Sequence, residues 1–263
     1  MSGSSDPQLL QRLVEFELSL QRDSSETVEE FDWGRLIYNP KTAAIWSSNY
    51  LEVHSTDLGA EALAAIAEEV QEPRGIEHRD VVPADLAYAD RLVPEFQELA
   101  GWEIIRNVYM VLAREFDGEV KAAREVTREA VEGVRRAVAE DDPDFSQEAI
   151  EQRPTRDASL DAVSNGRWFA APADGELGSA CVLYERDGVG QIETVITKPD
   201  ARNRGLATAV VLAAVRASRE AGHELTFIVA DANDWPWKLY ERLGFDRVGE
   251  FCSFLRKPPS PSD

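Results

Sequence analysis

PDARNRGLATAV, residues 199–210, places two arginines and a glycine directly before a helix-forming run in a strongly acidic chain. The first turn of a helix has unpaired N–H groups and the positive end of the helix dipole. Small residues at Gly205 and Ala207 let an anion approach the backbone closely, and Arg202 and Arg204 add positive charge. The stretch therefore has the outline of a diphosphate-binding site.

Two common phosphate motifs are absent from this region. Neither the GxxxxGK[ST] pattern of nucleoside-triphosphate loops nor the GxGxxG pattern of dinucleotide sites occurs in it. Taken alone, a basic turn before a helix is also an ordinary surface feature. The neighbouring residues are therefore needed to distinguish a phosphate site from a plain surface turn.

The preceding run, IETVIT at residues 192–197, is typical of a β-strand. Period-two alternation predicts that Glu193, Val195 and Thr197 share one face, with Ile192, Thr194 and Ile196 on the other. A carboxylate that faces a cleft can act as a base, directly or through water, so Glu193 is either a candidate base or an exposed strand residue.

Two further polar residues follow the next predicted strand. Asn233 stands at its end, and Tyr240 follows seven residues later on a short helix that leads into Gly244 and Phe245. Without this context Tyr240 would be interpreted as a core aromatic residue.

The combined pattern, E-x-V-x-T-x-P-x-x-R-x-x-G-x-A followed by N-x-x-x-x-x-x-Y-x-x-x-G-F, resembles the GNAT superfamily of N-acetyltransferases. The resemblance is strong from Gly190 to Phe245 and moderate from Gly166 onward. It implies an α/β (α+β) fold with a mixed sheet flanked by helices, and acetyl-CoA as cosubstrate. The loop motif ends at Ala207 where the family often has glycine.

The resemblance also implies roles for individual residues. The strand residues before the loop would pair with the pantetheine arm, namely Val195, Ile196 and Thr197. The loop amides would bind the pyrophosphate, with Arg202 contributing; they belong to Asn203, Arg204, Gly205, Leu206, Ala207 and Thr208. Asn233 would be the motif asparagine. Tyr240 would protonate the departing thiolate, which is reasonable because a phenol of pKa ~10 can donate to a thiolate of pKa ~8.5.

The N-terminal half carries a faint copy of this arrangement. GWEIIRNVYMVLAR from Gly101 aligns without gaps on GFDRVGEFCSFLRK from Gly244, and both follow a helix that contains proline. Gln97 stands where Tyr240 stands, and the region around Gly59 is acidic and lacks arginine. We therefore predict a degenerate GNAT-like domain at residues 1–118, an acetyltransferase domain at 119–257 and a disordered tail at 258–263. An unrelated α+β domain is the alternative for the first half.

Local patterns also make predictions that the fold tests. The charged run 119–140 predicts one helix, residues 141–165 predict short helical pieces broken by proline, and AAIWSSNYLEV at 43–53 predicts one strand.

Composition excludes several classes of function. The 263 residues carry a net charge of -21, which argues against nucleic acid as a partner. The charge either attracts a cationic substrate or serves only to keep the protein in solution. No apolar run reaches the ~18 residues of a membrane helix, and the N-terminus lacks the pattern of a signal peptide. With two cysteines and three dispersed histidines, we expect neither a disulfide framework nor a metal site, and a cytoplasmic location.

The sequence thus predicts an enzyme that moves an acetyl group from acetyl-CoA to a primary amine, on a small molecule or a peptide, by direct attack on the thioester. A non-catalytic CoA-binding regulatory module is the alternative, and a transferase for longer acyl groups is a third. The acceptor and the oligomeric state stay open.

Overall fold

A computed structural model of the chain describes residues 6–119 and 121–258. Within them, eleven strands form one mixed sheet: Thr27–Phe31 (β1), Gly34–Tyr38 (β2), Tyr50–Val53 (β3), Arg79–Pro83 (β4), Glu103–Leu112 (β5), Arg124–Val126 (β6), Arg167–Ala173 (β7), Glu176–Arg186 (β8), Val189–Thr197 (β9), Leu225–Asp231 (β10) and Phe245–Arg256 (β11). Seven α-helices flank it: Pro7–Asp23 (α1), Ala60–Gln71 (α2), Leu86–Gln97 (α3), Glu132–Ala139 (α4), Gln147–Ser164 (α5), Leu206–Glu220 (α6) and Pro236–Arg242 (α7). The predicted fold class, a mixed sheet flanked by helices, is confirmed.

The order of the strands shows two halves with the same connections. The sheet runs β1-β2-β3-β4-β11-β5-β10-β9-β8-β7-β6. In the first half β3 and β4 are parallel, and in the second half β9 and β10 are parallel. Helix α2 joins the first pair and α6 joins the second, and α3 and α7 each lead into a final long strand. This topology agrees with the duplication that the sequence alignment indicates.

The final strand of each half is exchanged with the other half. β5 pairs antiparallel with β10, β11 pairs antiparallel with β4, and the two exchanged strands pair with each other at the centre. Because ten registered residues join β5 to β11, the sheet is continuous across the two halves. Each half therefore pairs, at the centre of the sheet, with a strand that the other half supplies: β4 pairs with β11, and β10 pairs with β5.

The helices cover the two faces of the sheet differently. Alternate residues of β8 show this, since Cys181 and Leu183 pack with α6, whereas Val182 and Tyr184 pack on the opposite face near α4 and α5. Helices α2 and α3 lie over the first half on the α6 face, where Phe96 stacks on Phe254 at 4.0 Å. Helix α1 crosses the centre of the opposite face. We call these two sides the α6 face and the α1 face.

Three local predictions of secondary structure are wrong. Residues 119–140 contain β6 and a 3-10 turn before α4 begins at Glu132. β6 pairs with the edge strand β7, and Glu125 binds Arg167 at 2.7 Å, so pairing along the sheet edge overrides the local preference for helix. Residues 141–165 contain one helix of 18 residues that runs through Pro154. Burial of Ile150 and Leu160 anchors the helix on both sides of the proline.

The predicted strand at 43–53 begins only at Tyr50. Before it, two 3-10 turns are held by a buried asparagine, since Asn49 Nδ2 donates to the carbonyls of Thr42 at 2.8 Å and Ile45 at 2.9 Å. Residues 259–263 of the predicted tail lie outside the described residues.

Candidate functional site

A slot opens between the two parallel strands of the second half. Residues 189–192 of β9 pair with residues 225–228 of β10, and the pairing of the two strands ends there. Beyond this point Val229 to Asp231 continue along β5, while the end of β9 continues along β8. Within the described residues, Glu193 to Thr197 therefore have no strand partner on the β10 side. An extended ligand could pair with this free edge.

A β-bulge shapes the free edge of β9. Two residues, Thr194 and Val195, stand opposite the single residue Cys181 of β8, and Thr194 adopts a left-handed conformation with φ of 52°. The bulge reverses the alternation of side chains after residue 194. Val195 therefore packs on the α6 face, and Ile196 on the α1 face.

The predicted grouping of Glu193 with Val195 on one face is consequently wrong. Glu193 lines a small pocket on the α1 face with Glu17, Arg156 and Tyr184. Thr194 Oγ1 donates a hydrogen bond of 2.6 Å to the Glu193 carboxylate.

The loop after β9 forms a cradle of backbone amides. Asn203 and Gly205 both adopt left-handed conformations, with φ of 60° and 74°, and α6 begins at Leu206. In the part of the chain that the structure describes, none of the N–H groups from Asn203 to Thr208 donates to an acceptor. Consecutive free amides at the start of a 15-residue helix form an anion-binding site. We call residues 203–208 the amide cradle.

The arginines beside the cradle are engaged by surface carboxylates. Arg202 binds Asp141 at 2.9 Å, and Arg204 binds Asp174 at 2.6 Å, with all four side chains substantially exposed. Exposed ion pairs contribute little stability, so a phosphate can replace these carboxylates at small cost.

Tyr240 lies on the α6 face beneath the slot. Its side chain is 5% exposed and packs edge-to-face against Phe245 at 6.3 Å. Burial raises the pKa of the phenol, and the negative charge of Glu193 raises it further. Among the described residues the hydroxyl has no hydrogen-bond partner, so it is free to donate to a ligand.

Asn233 stands at the open end of the slot. It is exposed in the turn between β10 and α7, where its backbone N–H binds the Asp231 carboxylate at 2.7 Å. The end of β10 therefore presents Asn233, and the end of β9 presents the amide cradle, at the same edge of the sheet.

Sequence reasoning missed two residues and one cavity. Thr194 forms the bulge and Cys181 lies opposite it, where burial raises the pKa of the thiol and Sγ donates to the carbonyl of Val210 at 3.3 Å. Neither residue type signals a bulge. The cavity, of about 480 Å³, lies on the α1 face at the junction of the two halves. It was not predictable because its lining comes from distant parts of the chain.

The described residues 6–119 and 121–258 lack both a membrane-spanning helix and a metal-binding cluster. No helix there is long and apolar enough to cross a membrane, and no group of three or more histidine, cysteine, aspartate or glutamate side chains could hold a metal ion.

Comparisons with known proteins agree with this geometry. The sequence model of the acetyltransferase (GNAT) family matches residues 132–245. A conserved protein of unknown function from Staphylococcus epidermidis ATCC 12228 is similar in structure, with a TM-score of 0.66 at 15% identity over 90% of this chain and 96% of that chain. A GCN5-related N-acetyltransferase from Kribbella flavida has a TM-score of 0.59 at 18% identity over 95% and 96%.

A tandem GNAT protein from the clavulanic acid biosynthesis pathway is also similar, with a TM-score of 0.50 at 15% identity over 80% of this chain and 74% of that chain. No curated protein matches the chain in sequence. The fold is therefore that of GNAT proteins, and residues 132–245 match the sequence model of the acetyltransferase (GNAT) family.

Proposed function

We propose that the chain is an N-acetyltransferase that transfers the acetyl group of acetyl-CoA to a primary amine by direct attack on the thioester. The observation that carries the proposal is the amide cradle at the mouth of the slot between β9 and β10. Its free N–H groups suit a pyrophosphate, and a Cβ placed on Gly205 would meet no atom within 4 Å, so the approach to the backbone is open.

The residues of the slot divide the binding of the cosubstrate. The cradle, Asn203 to Thr208, holds the pyrophosphate, with Arg202 and Arg204 in support. The free edge at Val195, Ile196 and Thr197 pairs with the pantetheine arm, and Asn233 lies beside its path. When bound, acetyl-CoA supplies an activated acetyl group.

Glu193 and Tyr240 approach the slot from opposite faces of the sheet. Glu193 accepts the proton that the attacking amine loses as the C–N bond forms, directly or through water. Tyr240 donates a proton to the sulfur as the C–S bond breaks. Burial, and after it the Glu193 charge, raises the pKa of Tyr240, so the phenol stays protonated until a thiolate forms beside it.

Cys181 does not carry the acetyl group in this scheme. A thiolate is the nucleophilic form of cysteine, and burial keeps Cys181 in its neutral form. This supports direct attack by the amine rather than an acetyl-cysteine route.

The test is the release of free CoA thiol from acetyl-CoA with a panel of primary amines. We expect Tyr240→Phe to lower kcat at least tenfold without changing the affinity for acetyl-CoA, because general acid catalysis contributes roughly 10²–10⁴-fold. Tyr88→Phe is the matched control, since it also removes a tyrosine hydroxyl. Tyr88 lies on α3, and its hydroxyl donates to the carbonyl of Leu58, far from the slot. Full kcat in Tyr240→Phe would remove the acid role.

A CoA-binding regulatory module is the second candidate. The deep burial of Tyr240 favours it, because a buried phenol is also a packing residue. This function would be established if the chain bound acetyl-CoA and released no thiol with any amine of the panel.

A further inference from the structure

The cavity on the α1 face is built by both halves of the chain. Tyr50 of β3 and Asp80 of β4 line one end, and Tyr109 of the exchanged strand β5 and Asp231 of β10 line the other. Glu17 of α1 lines both this cavity and the small pocket that holds Glu193. The cavity therefore leads from the N-terminal half to the proposed site of acetyl transfer.

Among the described residues, three buried polar atoms of the cavity lining have no hydrogen-bond partner: the Tyr50 hydroxyl, Asp80 Oδ1 and Arg153 Nε. The first two belong to strand residues that are deeply buried, since Tyr50 is 1% and Asp80 9% exposed. Buried polar atoms are nearly always hydrogen-bonded, because an unsatisfied group costs ~1–3 kcal/mol. Tyr50 and Asp80 are neighbours on adjacent strands, so one ligand group can satisfy both.

The charge of the cavity favours a cation. Five carboxylates line it against two cationic side chains: Glu17, Asp80, Glu103, Asp144 and Asp231 against Arg153 and Lys257. Lys257 is engaged by Asp144 at 2.9 Å and by Glu103 at 3.4 Å, and Arg153 lies over the Phe145 ring at 4.3 Å. Within the described residues Glu17, Asp80 and Asp231 form no ion pair.

Aromatic side chains complete the walls. Trp46, Tyr50, Tyr109, Phe145 and Phe251 line the cavity, and their ring faces attract organic cations. Tyr109 Oη also donates to the Glu17 carboxylate at 2.6 Å, which holds this carboxylate at the passage toward Glu193.

The spacing of the strands sets the length of the ligand. Asp80 on β4 and Asp231 on β10 are separated by β11 and β5, and three strand spacings correspond to about 14 Å. A ligand that reaches from Asp80 to the slot is therefore elongated.

We propose that this cavity binds the acceptor of the reaction and that the acceptor is an elongated polycation of the linear polyamine class. One ammonium lies between Tyr50 and Asp80, the chain follows β11 and β5, and the reacting amine reaches the slot beside Glu193. The inference rests on the proposed function, because the cavity is named as its acceptor site. The N-terminal half thus recognises the acceptor.

Proton release accompanies this binding. Burial raises the pKa of Asp80 to about 8 and that of Glu17 to about 7, so both carboxyls are partly protonated near neutral pH. A bound ammonium favours their ionised forms and expels the protons. Binding therefore tightens as the pH rises from 6.5 to 8.5, while the terminal ammonium groups, which resemble a lysine ammonium of pKa ~10.4, stay charged.

The experiment is calorimetric titration of spermine into the full chain at pH 6.5 and 8.5. We expect saturable binding that is tighter at pH 8.5, and a loss of at least tenfold in affinity for Asp80→Asn and about fivefold for Tyr50→Phe. Asp187→Asn is the matched control and should keep wild-type affinity, because it makes the same Asp-to-Asn replacement at an exposed position outside this cavity.

Two results would overturn the inference. One is equal affinity of Asp80→Asn, Tyr50→Phe and Asp187→Asn for spermine, which would assign binding to general surface charge. The other is no spermine binding by a wild type that binds acetyl-CoA. If Asp80→Asn does not fold by circular dichroism, Tyr50→Phe decides the question. Acetyl-CoA titration of the same samples distinguishes the acetyltransferase proposal from the polyamine proposal. If the wild type does not bind acetyl-CoA, the proposed function itself is contradicted.

Discussion

Asp80→Asn is expected to make the folded chain more stable, by an amount that grows with pH. In an unfolded chain an aspartate titrates near pKa ~3.9. Burial raises the pKa of Asp80 to about 8 in the fold. Between these two values the folded protein holds one proton more than the unfolded chain. The stabilisation is therefore complete below pH ~4 and is lost as the pH rises toward 8.

The size of the effect follows from one proton. The free energy of unfolding of the wild type falls by about 1.4 kcal/mol per pH unit through this group, or about 6 kcal/mol over the whole window. Asparagine has nearly the same shape and does not titrate, so Asp80→Asn lacks this loss. All other groups titrate alike in both proteins and cancel in the difference.

Urea unfolding at pH 5, 6, 7 and 8 measures the difference directly. The stability of Asp80→Asn relative to the wild type should rise by about 1.4 kcal/mol per unit and level off above pH 8. Asp187→Asn, at an exposed position, should show no such slope. A difference that does not change between pH 5 and 8 would refute the burial argument for Asp80 and remove the proton release expected on spermine binding.

Two further predictions concern stability. Arg135→Met breaks the buried ion pair with Asp157 and leaves this carboxylate only the longer contact to Arg156 at 4.0 Å. The free energy of unfolding in urea should fall by ~3 kcal/mol, and a loss below ~1 kcal/mol would contradict this. Gly205→Ala forces a side chain into a left-handed conformation and should cost ~1–2 kcal/mol, whereas Gly133→Ala within α4 should stabilise by ~0.5–1 kcal/mol. If the Tm in thermal melts shifted in the same direction for both glycine variants, backbone conformation would not be the cause of the stability changes.

Local residues made the loop of the site predictable. Arg202 to Gly205 lie in the loop that leads from β9 into α6, and the left-handed conformation at Gly205 is a local preference of glycine. The equivalence of β5 and β11 was also visible, because each strand follows a short helix and a glycine.

Non-local pairing explains what could not be predicted. The exchange of β5 and β11 between the halves depends on the whole sheet, and no residue within either strand signals its partner. The bulge at Thr194 changed the faces of β9 although threonine rarely adopts a positive φ. β6 formed from a run with helical character because the edge of β7 offered backbone partners.

Calorimetric titration of acetyl-CoA into the wild type and into the double variant Arg204→Glu, Gly205→Glu tests whether the amide cradle binds the cosubstrate. Arg216→Glu, an exposed reversal of charge further along α6, is the control. We expect saturable binding to the wild type and to Arg216→Glu, and at least a hundredfold weaker binding to a folded double variant. No binding to the folded wild type, or equal binding to all three proteins, would contradict the assignment of the amide cradle and with it the acetyltransferase function.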